Sequence, residues 1–102
     1  MINNDKIVHF VMDVIDELNK QLPKDKKLNK SIDTALFGIN GNLDSLGFIS
    51  LVTIVEQKID ENFGISITII DELATLEDEN PFKTVKSLIE YIGSLLEKKS
   101  HE

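Results

Sequence analysis

Three stretches of the chain repeat apolar residues at the three- and four-residue spacing that places them on one face of an α-helix. The first stretch follows Asn4 and Asp5, either of which can cap a helix, and it ends at Pro23. Its apolar stripe consists of Ile7, Val11, Val14, Ile15, Leu18 and Leu22. His9 lies off this stripe, so we expect its imidazole at the surface.

The second stretch predicts the longest helix, from about Ser45 to Asn62. Its predicted buried face is Leu46, Ile49, Val52, Val55 and Ile59, widened by Leu51 and Ile54. Phe63 closes this helix, and Gly64 is the residue expected just past a helix C-terminus. Phe48 stands off the central stripe, either as part of the core or as an exposed apolar contact for a partner or cargo.

The third stretch predicts a last helix capped by Thr84, after the boundary at Asn80-Pro81. Its stripe is Val85, Leu88, Ile89, Ile92 and Leu96, with Tyr91 and Leu95 at the margins. We expect residues 97–102 to form a frayed tail.

The connection between the first two helices is long, and its second half is too apolar for a free linker. We expect it to be anchored to the core by its apolar residues, which are Leu28, Ile32, Leu36, Phe37, Ile39 and Leu43. Gly38 and Gly41 permit the sharp turns that this connection requires.

The segment after the second helix, residues 65–69, alternates apolar and polar residues as a strand does. No second strand pattern exists to pair with it, so we predict an extended segment that inserts Ile65 and Ile67 into the core. A short helix is predicted from Asp71 to Leu76, with Leu73 and Leu76 inward. The chain therefore predicts an all-α fold, a small four-helix bundle of three main helices and one short helix with a long first loop. A single domain over residues 1–102 is expected, with its core at about 6–96.

Composition sets limits on the chemistry. The chain has 102 residues, of which 41% are hydrophobic and 28% charged, as in ordinary globular domains. Its apolar runs are too short to span a membrane and its N-terminus lacks signal-peptide features, so a cytoplasmic location is the default expectation. The absence of cysteine excludes disulfides, thiolate metal sites and a cysteine nucleophile. The two histidines are far apart in sequence, so no metal site is expected.

The net charge of −7 is unevenly distributed. Residues 1–30 hold six lysines and five acids, whereas residues 44–79 hold nine acids and one lysine, Lys58. Such a negative field disfavours nucleic acid as a partner and can steer basic protein partners, although a purely solubilising surface has the same composition.

The turn that opens the second helix is the candidate for chemistry, from Gly41 to Phe48. Asp44 or Ser45 can cap the helix by accepting a hydrogen bond from a free backbone N–H. The helix start also carries a partial positive charge that suits a phosphate. The serine is therefore either part of a simple helix cap or a hydroxyl placed to carry a phosphodiester.

Asp44-Ser45-Leu46, followed by residues 47–52 and by a helix that ends at residues 61–65, resembles the acyl carrier proteins. The flanking runs at residues 36–38 and 82–88 resemble the same family, and the likeness extends from about Lys6 to Leu96. The tripeptide alone is a weak motif. Its specificity comes from its placement between a long loop and a long helix.

The resemblance implies that Ser45 is joined to 4′-phosphopantetheine by a phosphopantetheinyl transferase, which uses coenzyme A and Mg²⁺. It implies a monomer without catalysis of its own, whose arm carries acyl or aminoacyl groups as thioesters. Its partners would be that transferase, an acyl- or aminoacyl-adenylating ligase and downstream acyl-processing enzymes. Asp44 would position the helix start and the transferase, Leu46 would be buried or half-buried at the site, and Gly47 would leave room for a partner.

The chain differs in one respect from the carriers of fatty acid synthesis, which look strongly acidic along the exposed face of the second helix. Acids on the exposed face are limited here to Glu56, Asp60 and Glu61, and much of the negative charge lies at residues 71–79. This difference favours a dedicated biosynthetic pathway. A peptidyl, aminoacyl or D-alanyl-type carrier is the alternative within the fold.

Two functions of other classes are also open to a chain of this pattern. One is an unmodified acidic helical adaptor, and the other is a serine hydrolase with Ser45 as its nucleophile. The hydrolase would need a general base, whereas the chain has no Gly-x-Ser-x-Gly motif and only His9 within its folded part.

Overall fold

The computed structural model describes residues 4–38, 41, 43–69 and 80–100. These residues form three α-helices: α1 over Asn4–Asn19, α2 over Ser45–Phe63 and α3 over Val85–Ser100. A single 3₁₀ turn, Lys24–Lys26, follows α1. The same residues contain no β-strand and only one isolated bridge, between Ala35 and Thr84. The mostly helical architecture is therefore confirmed, and the short helix predicted over Asp71–Leu76 lies outside the described residues.

Helix α1 packs against both α2 and α3, and the core lies between them. Its predicted stripe is buried from Ile7 to Leu18, but α1 ends at Asn19, before Pro23. Asn19 ends the helix because its side chain turns to the loop, where Oδ1 accepts from Leu28 N at 2.7 Å and Nδ2 donates to Leu28 O at 2.9 Å. As a result Leu22 is only half-buried. His9 is exposed, as predicted.

Phe10 is a core residue that the predicted stripe omits. It is buried, and its ring lies 5.6 Å from that of Phe63 at the end of α2. The contact joins the first half of α1 to the end of α2.

The long connection is anchored to the core, as predicted, by Leu28, Leu36 and Leu43, which are buried, and by the half-buried Phe37. The prediction for Ile32 is wrong, because its side chain is 46% exposed. Ile32 is held instead through its backbone, whose carbonyl accepts from Lys86 N at 2.9 Å. Ile39 lies outside the described residues.

Backbone hydrogen bonds attach this connection to the residues around the start of α3. Leu36 N donates to Lys83 O at 2.8 Å, and Phe37 N donates to Phe82 O at 2.9 Å. Gly38 then turns the chain with φ +134°, a conformation that side chains disfavour. The loop in front of α2 is thus fixed to a second element by hydrogen bonds rather than by apolar contact alone.

The orientation of α2 differs from the predicted one. Leu51, Val52, Ile54, Val55 and Ile59 are buried, whereas Leu46 is 74% exposed and Ile49 is 54% exposed. The predicted burial of Leu46 and Ile49 is therefore wrong. Apolar residues occupy so much of the circumference of α2 that periodicity alone does not decide which of them face the core.

The sequence signals at the end of α2 and at the start of α3 are confirmed, whereas α3 remains helical to Ser100, where a frayed tail was predicted from residue 97. Gly64 adopts φ +66°, and its N–H donates to Asp60 O at 3.0 Å, as predicted for a C-terminal glycine. Thr84 is confirmed as the cap of α3: its Oγ1 accepts from Ser87 N at 3.1 Å, and Ser87 Oγ accepts from Thr84 N at 3.0 Å. The predicted stripe of α3 is buried throughout.

Residues 65–68 of the predicted extended segment form no regular structure, whereas its last residue, Ile69, is helical. Ile65 and Ile67 are half-buried against the core, and Ile69 is completely buried. A hydrogen bond attaches the end of this segment to α2, since Glu56 Oε2 accepts from Ile69 N at 2.6 Å. No described helix is long and apolar enough to cross a membrane.

Candidate functional site

Asp44 caps α2. Its backbone is extended, and its Oδ1 accepts from Gly47 N at 2.8 Å, while its carbonyl accepts from Phe48 N at 2.9 Å. A short carboxylate in this position satisfies an N–H that the helix itself cannot pair. Of the two residues that could cap the helix, the structure therefore selects Asp44.

Ser45 is the first residue of α2, and its side chain is exposed. Because Asp44 provides the cap, the Ser45 hydroxyl is not used for that purpose, and none of the hydrogen bonds among the described residues engages its Oγ. The N–H groups of Ser45 and Leu46 precede the first intrahelical bond, so Oγ lies at the positive end of the helix. The Asp44 carboxylate offsets part of that positive charge.

Leu46 and Ile49 form an apolar patch beside Ser45, which we call the outer patch. They lie three residues apart on α2 and are 74% and 54% exposed. No residue from Ser45 to Val55 is charged, so the outer patch lies in a neutral half-helix. Leu46 is consequently placed next to Ser45 as predicted from the motif, but on the solvent side instead of buried.

Gly47 is buried, so the expectation that it leaves room for a partner is wrong. A Cβ on this residue would lie 3.1 Å from Leu43 Cδ2 and 3.4 Å from Asp44 Oδ1. The missing side chain makes room for the chain's own Leu43, which closes the inner side of the first turn.

Phe48 is half-buried against the core and belongs to an aromatic cluster, which consists of Phe37, Phe48, Phe82 and Tyr91. Its ring stacks on Phe37 with centroids 4.3 Å apart and meets Phe82 edge-on at 5.4 Å. The Phe82 ring lies 6.2 Å from that of Tyr91 in α3. No periodicity in the sequence indicates this cluster, because its members come from a loop, a turn and two different helices.

The acids of α2 lie away from Ser45, with the exception of Asp44 at the cap. The Glu56 carboxylate accepts from Ile69 N, and the exposed Asp60 and Glu61 follow in the last turns of the helix. Asp60 is about 22 Å from Ser45 along the helix axis. The acidic run over residues 71–79 lies outside the described residues. In the part of the chain that is described, no three His, Asp or Glu side chains are grouped to hold a metal ion.

The site thus consists of an exposed hydroxyl at a capped helix start, a neutral outer patch beside it and an aromatic cluster behind it. Such an arrangement leaves the Ser45 side chain exposed to solvent. Comparison of the chain with family models, with curated proteins and with solved structures gives no match.

Proposed function

We propose that this chain is an acyl carrier protein that holds acyl or aminoacyl groups on a 4′-phosphopantetheine arm attached to Ser45. The observation that supports the proposal is the division of roles between neighbouring residues. Asp44 caps α2 through Gly47 N, which leaves the adjacent Ser45 hydroxyl exposed as the first residue of the longest helix.

The residues of the site fit this group. Ser45 Oγ is exposed to an incoming enzyme, and the helix start favours the negative charge of a phosphodiester at that oxygen. The chain itself has no cysteine. When bound, the group supplies a thiol at the end of a flexible arm, on which acyl groups are carried as thioesters.

The role of the chain's own residues is attachment and presentation, without catalysis. Asp44 keeps the first turn of α2 formed, so that Ser45 is presented at a fixed point. A tether raises the effective concentration of its cargo at a docked partner. The partners of this proposal are a phosphopantetheinyl transferase, an acyl- or aminoacyl-adenylating ligase and the enzymes that process the acyl group. Leu46 and Ile49 offer them an uncharged contact beside Ser45.

The neutral first half of α2 supports a dedicated biosynthetic pathway over general fatty acid synthesis. From Ser45 to Val55 the helix presents no charge to a basic enzyme surface, and its acids follow only from Glu56 onward. Partners that select this carrier would therefore recognise shape and apolar contact near Ser45 more than charge. A peptidyl, aminoacyl or D-alanyl-type carrier is the alternative within this proposal.

The proposal is tested by intact-protein mass spectrometry after incubation with coenzyme A, Mg²⁺ and a broad-range phosphopantetheinyl transferase. We expect the protein to gain the mass of one phosphopantetheine and Ser45→Ala to gain none, because only the Ser45 hydroxyl is presented at the helix start. Ser66→Ala removes another exposed serine, after the end of α2, and should be labelled as fully as the unaltered protein.

Two transferases of different specificity should be used, each verified on a known carrier. Circular dichroism would show that Ser45→Ala is folded. If both enzymes leave the unaltered protein unlabelled, the carrier proposal is wrong, and an adaptor that binds partners through the outer patch becomes the better explanation. Labelling that persists in Ser45→Ala would assign the attachment to another residue.

A further inference from the structure

Asn80 stands immediately before Pro81 and the turn into α3, and it forms both local and distant hydrogen bonds. Two are local: its Oδ1 accepts from Phe82 N at 3.0 Å, and its carbonyl accepts from Lys83 N at 3.2 Å. Another spans 43 residues, because its Nδ2 donates to Phe37 O at 2.8 Å. One short amide side chain thus supplies both the acceptor for the turn and the donor for the distant carbonyl.

The bond from Asn80 adds to the attachment of the long connection to this turn. Leu36 N donates to Lys83 O at 2.8 Å. Phe37 N donates to Phe82 O at 2.9 Å. These two bonds join backbone to backbone, so they do not depend on the side chains present. The bond to Phe37 O uses a side chain, and Asn80 is therefore the point at which this attachment depends on residue type.

Leu36 and Phe37 are in turn linked to residues on both sides of Ser45. Leu43, the residue before the cap, donates through its N–H to Leu36 O at 3.0 Å. The Phe48 ring, at the end of the first turn of α2, stacks on that of Phe37 at 4.3 Å. Ser45 lies between Leu43 and Phe48 in the chain, so a displacement of Phe37 would be transmitted to the helical turn that carries Ser45.

We propose that Asn80 is a positioning residue for the attachment of phosphopantetheine to Ser45. It acts through the Phe37 backbone and the first turn of α2, and it takes no part in the chemical step. This inference rests on the proposed function, in which Ser45 Oγ forms a bond to phosphorus, the bond from that phosphorus to the bridging oxygen of coenzyme A breaks, adenosine bisphosphate leaves and the hydroxyl proton is released. Such a displacement depends on the placement of the attacking oxygen, so a shift of the helix start lowers the rate after the transferase has bound.

Asn80→Asp tests this role. A carboxylate keeps the acceptor for Phe82 N but has no hydrogen to donate to Phe37 O, and it places an oxygen against that carbonyl. Single-turnover labelling with excess coenzyme A and increasing amounts of a transferase verified on a known carrier is followed by intact-protein mass spectrometry. We expect the maximal rate to fall about fivefold, the effect of losing one hydrogen bond, while the transferase concentration for the half-maximal rate stays within about twofold.

Asn80→Ala separates this role from that of the local turn. It also frees Phe82 N, so it should lower the midpoint of urea unfolding more than Asn80→Asp does. Its maximal labelling rate should nevertheless match that of Asn80→Asp within about twofold, because both variants lose the same donor to Phe37 O. A role in stability alone would instead make the labelling rates follow the unfolding midpoints.

Asn62→Asp is the matched control, because the Asn62 Nδ2 also donates to a backbone carbonyl, that of Lys58, at 2.9 Å. The change adds the same charge and removes the same kind of bond, but it lies about 26 Å from Ser45 along the axis of α2. Its maximal rate should equal that of the unaltered protein. The amide NMR signals of residues 43–48 should shift in Asn80→Asp and stay unchanged in Asn62→Asp.

The outcomes separate this inference from the proposed function. If verified transferases do not label the unaltered protein, the proposed function is wrong, and the role of Asn80 is wrong with it. If the unaltered protein is labelled and Asn80→Asp reaches the same maximal rate, or loses only affinity for the transferase, Asn80 has no positioning role although the carrier proposal stands. An equal loss of rate in Asn62→Asp would assign the effect to the added charge and would also contradict the inference.

Discussion

At the scale of single residues, Asp44 takes the capping role that either Asp44 or Ser45 could perform. A serine that caps a helix directs its hydroxyl to a backbone N–H, and this would occupy the oxygen that the proposed attachment requires. Here the carboxylate of Asp44 accepts that N–H, from Gly47 at 2.8 Å, and the Ser45 side chain remains exposed. The order of the two residues therefore determines which oxygen is available.

A prediction at the scale of single residues concerns Leu46. Its side chain is exposed, so Leu46→Ala should change the free energy of unfolding by no more than about 0.5 kcal/mol. If transferases contact the outer patch, the same change should lower kcat/KM for phosphopantetheinylation about tenfold, as the loss of an apolar anchor does at interfaces. Steady-state kinetics with varied carrier concentration measures this effect.

Ile32→Ala is the control for Leu46→Ala, because it also truncates an exposed apolar side chain but lies in the long connection, outside α2. Its kcat/KM should match that of the unaltered protein. An equal loss in both variants, or no loss in Leu46→Ala, would mean that the outer patch does not contact the transferase. Added salt should have little effect, since this half of α2 carries no charge.

At the scale of elements, the segment that leaves α2 depends on side chains for its position. Between described residues, 65–68 make no backbone–backbone hydrogen bond, and the segment is attached through Gly64 and Ile69. Gly64 N donates to Asp60 O at one end, and Ile69 N donates to the Glu56 carboxylate at the other. Glu56 is therefore a structural residue of α2 as well as one of its few acids.

We expect Glu56→Ala to free the Ile69 amide while the helices remain intact. The loss of a hydrogen bond of about 1 kcal/mol should accelerate hydrogen exchange at Ile69 about fivefold, if exchange occurs by local opening. Glu56→Gln retains a carbonyl oxygen at the same position and should exchange much more slowly than the alanine variant. Exchange followed by NMR distinguishes the two, and identical rates in the unaltered and alanine proteins would show that the bond does not hold the segment.

At the scale of the whole molecule, Phe82 joins three parts that are distant in sequence. Its backbone carbonyl holds the loop at Phe37, its ring meets Phe48 of α2, and it also approaches Tyr91 of α3. The turn that contains Phe82 lies almost forty residues after Ser45 in the chain, and it contacts the residues beside Ser45. The radius of gyration, 12.9 Å, agrees with the ~13 Å typical of a folded domain of this size.

Phe82→Ala should lower the free energy of unfolding by about 3–5 kcal/mol, because it leaves a cavity where a completely buried ring had been. This is a large part of the ~5–15 kcal/mol typical of a domain. Urea unfolding followed by circular dichroism measures the difference. Phe63→Ala, at a half-buried ring, should cost clearly less, and equal losses would contradict a central role for Phe82.

The sequence by itself determined the three main helices and most of their ends. These features depend on local signals: apolar residues at helical spacing, Gly64 after α2, and Thr84 with Ser87 at the start of α3. It also indicated that Asp44 or Ser45 begins α2 and that the long connection is anchored through Leu36. Each of these results requires only the few residues that are near one another in the chain.

Only the tertiary structure decided which way α2 faces, and this changed the site. Leu46 and Ile49 belong to the apolar pattern of the helix, but Leu43 and the aromatic cluster cover another side and leave these two exposed. The rings that meet at Phe48 come from a loop and a turn that are far apart in sequence. A helix that is apolar around much of its circumference has no orientation of its own, because its buried side is the one that the rest of the chain covers.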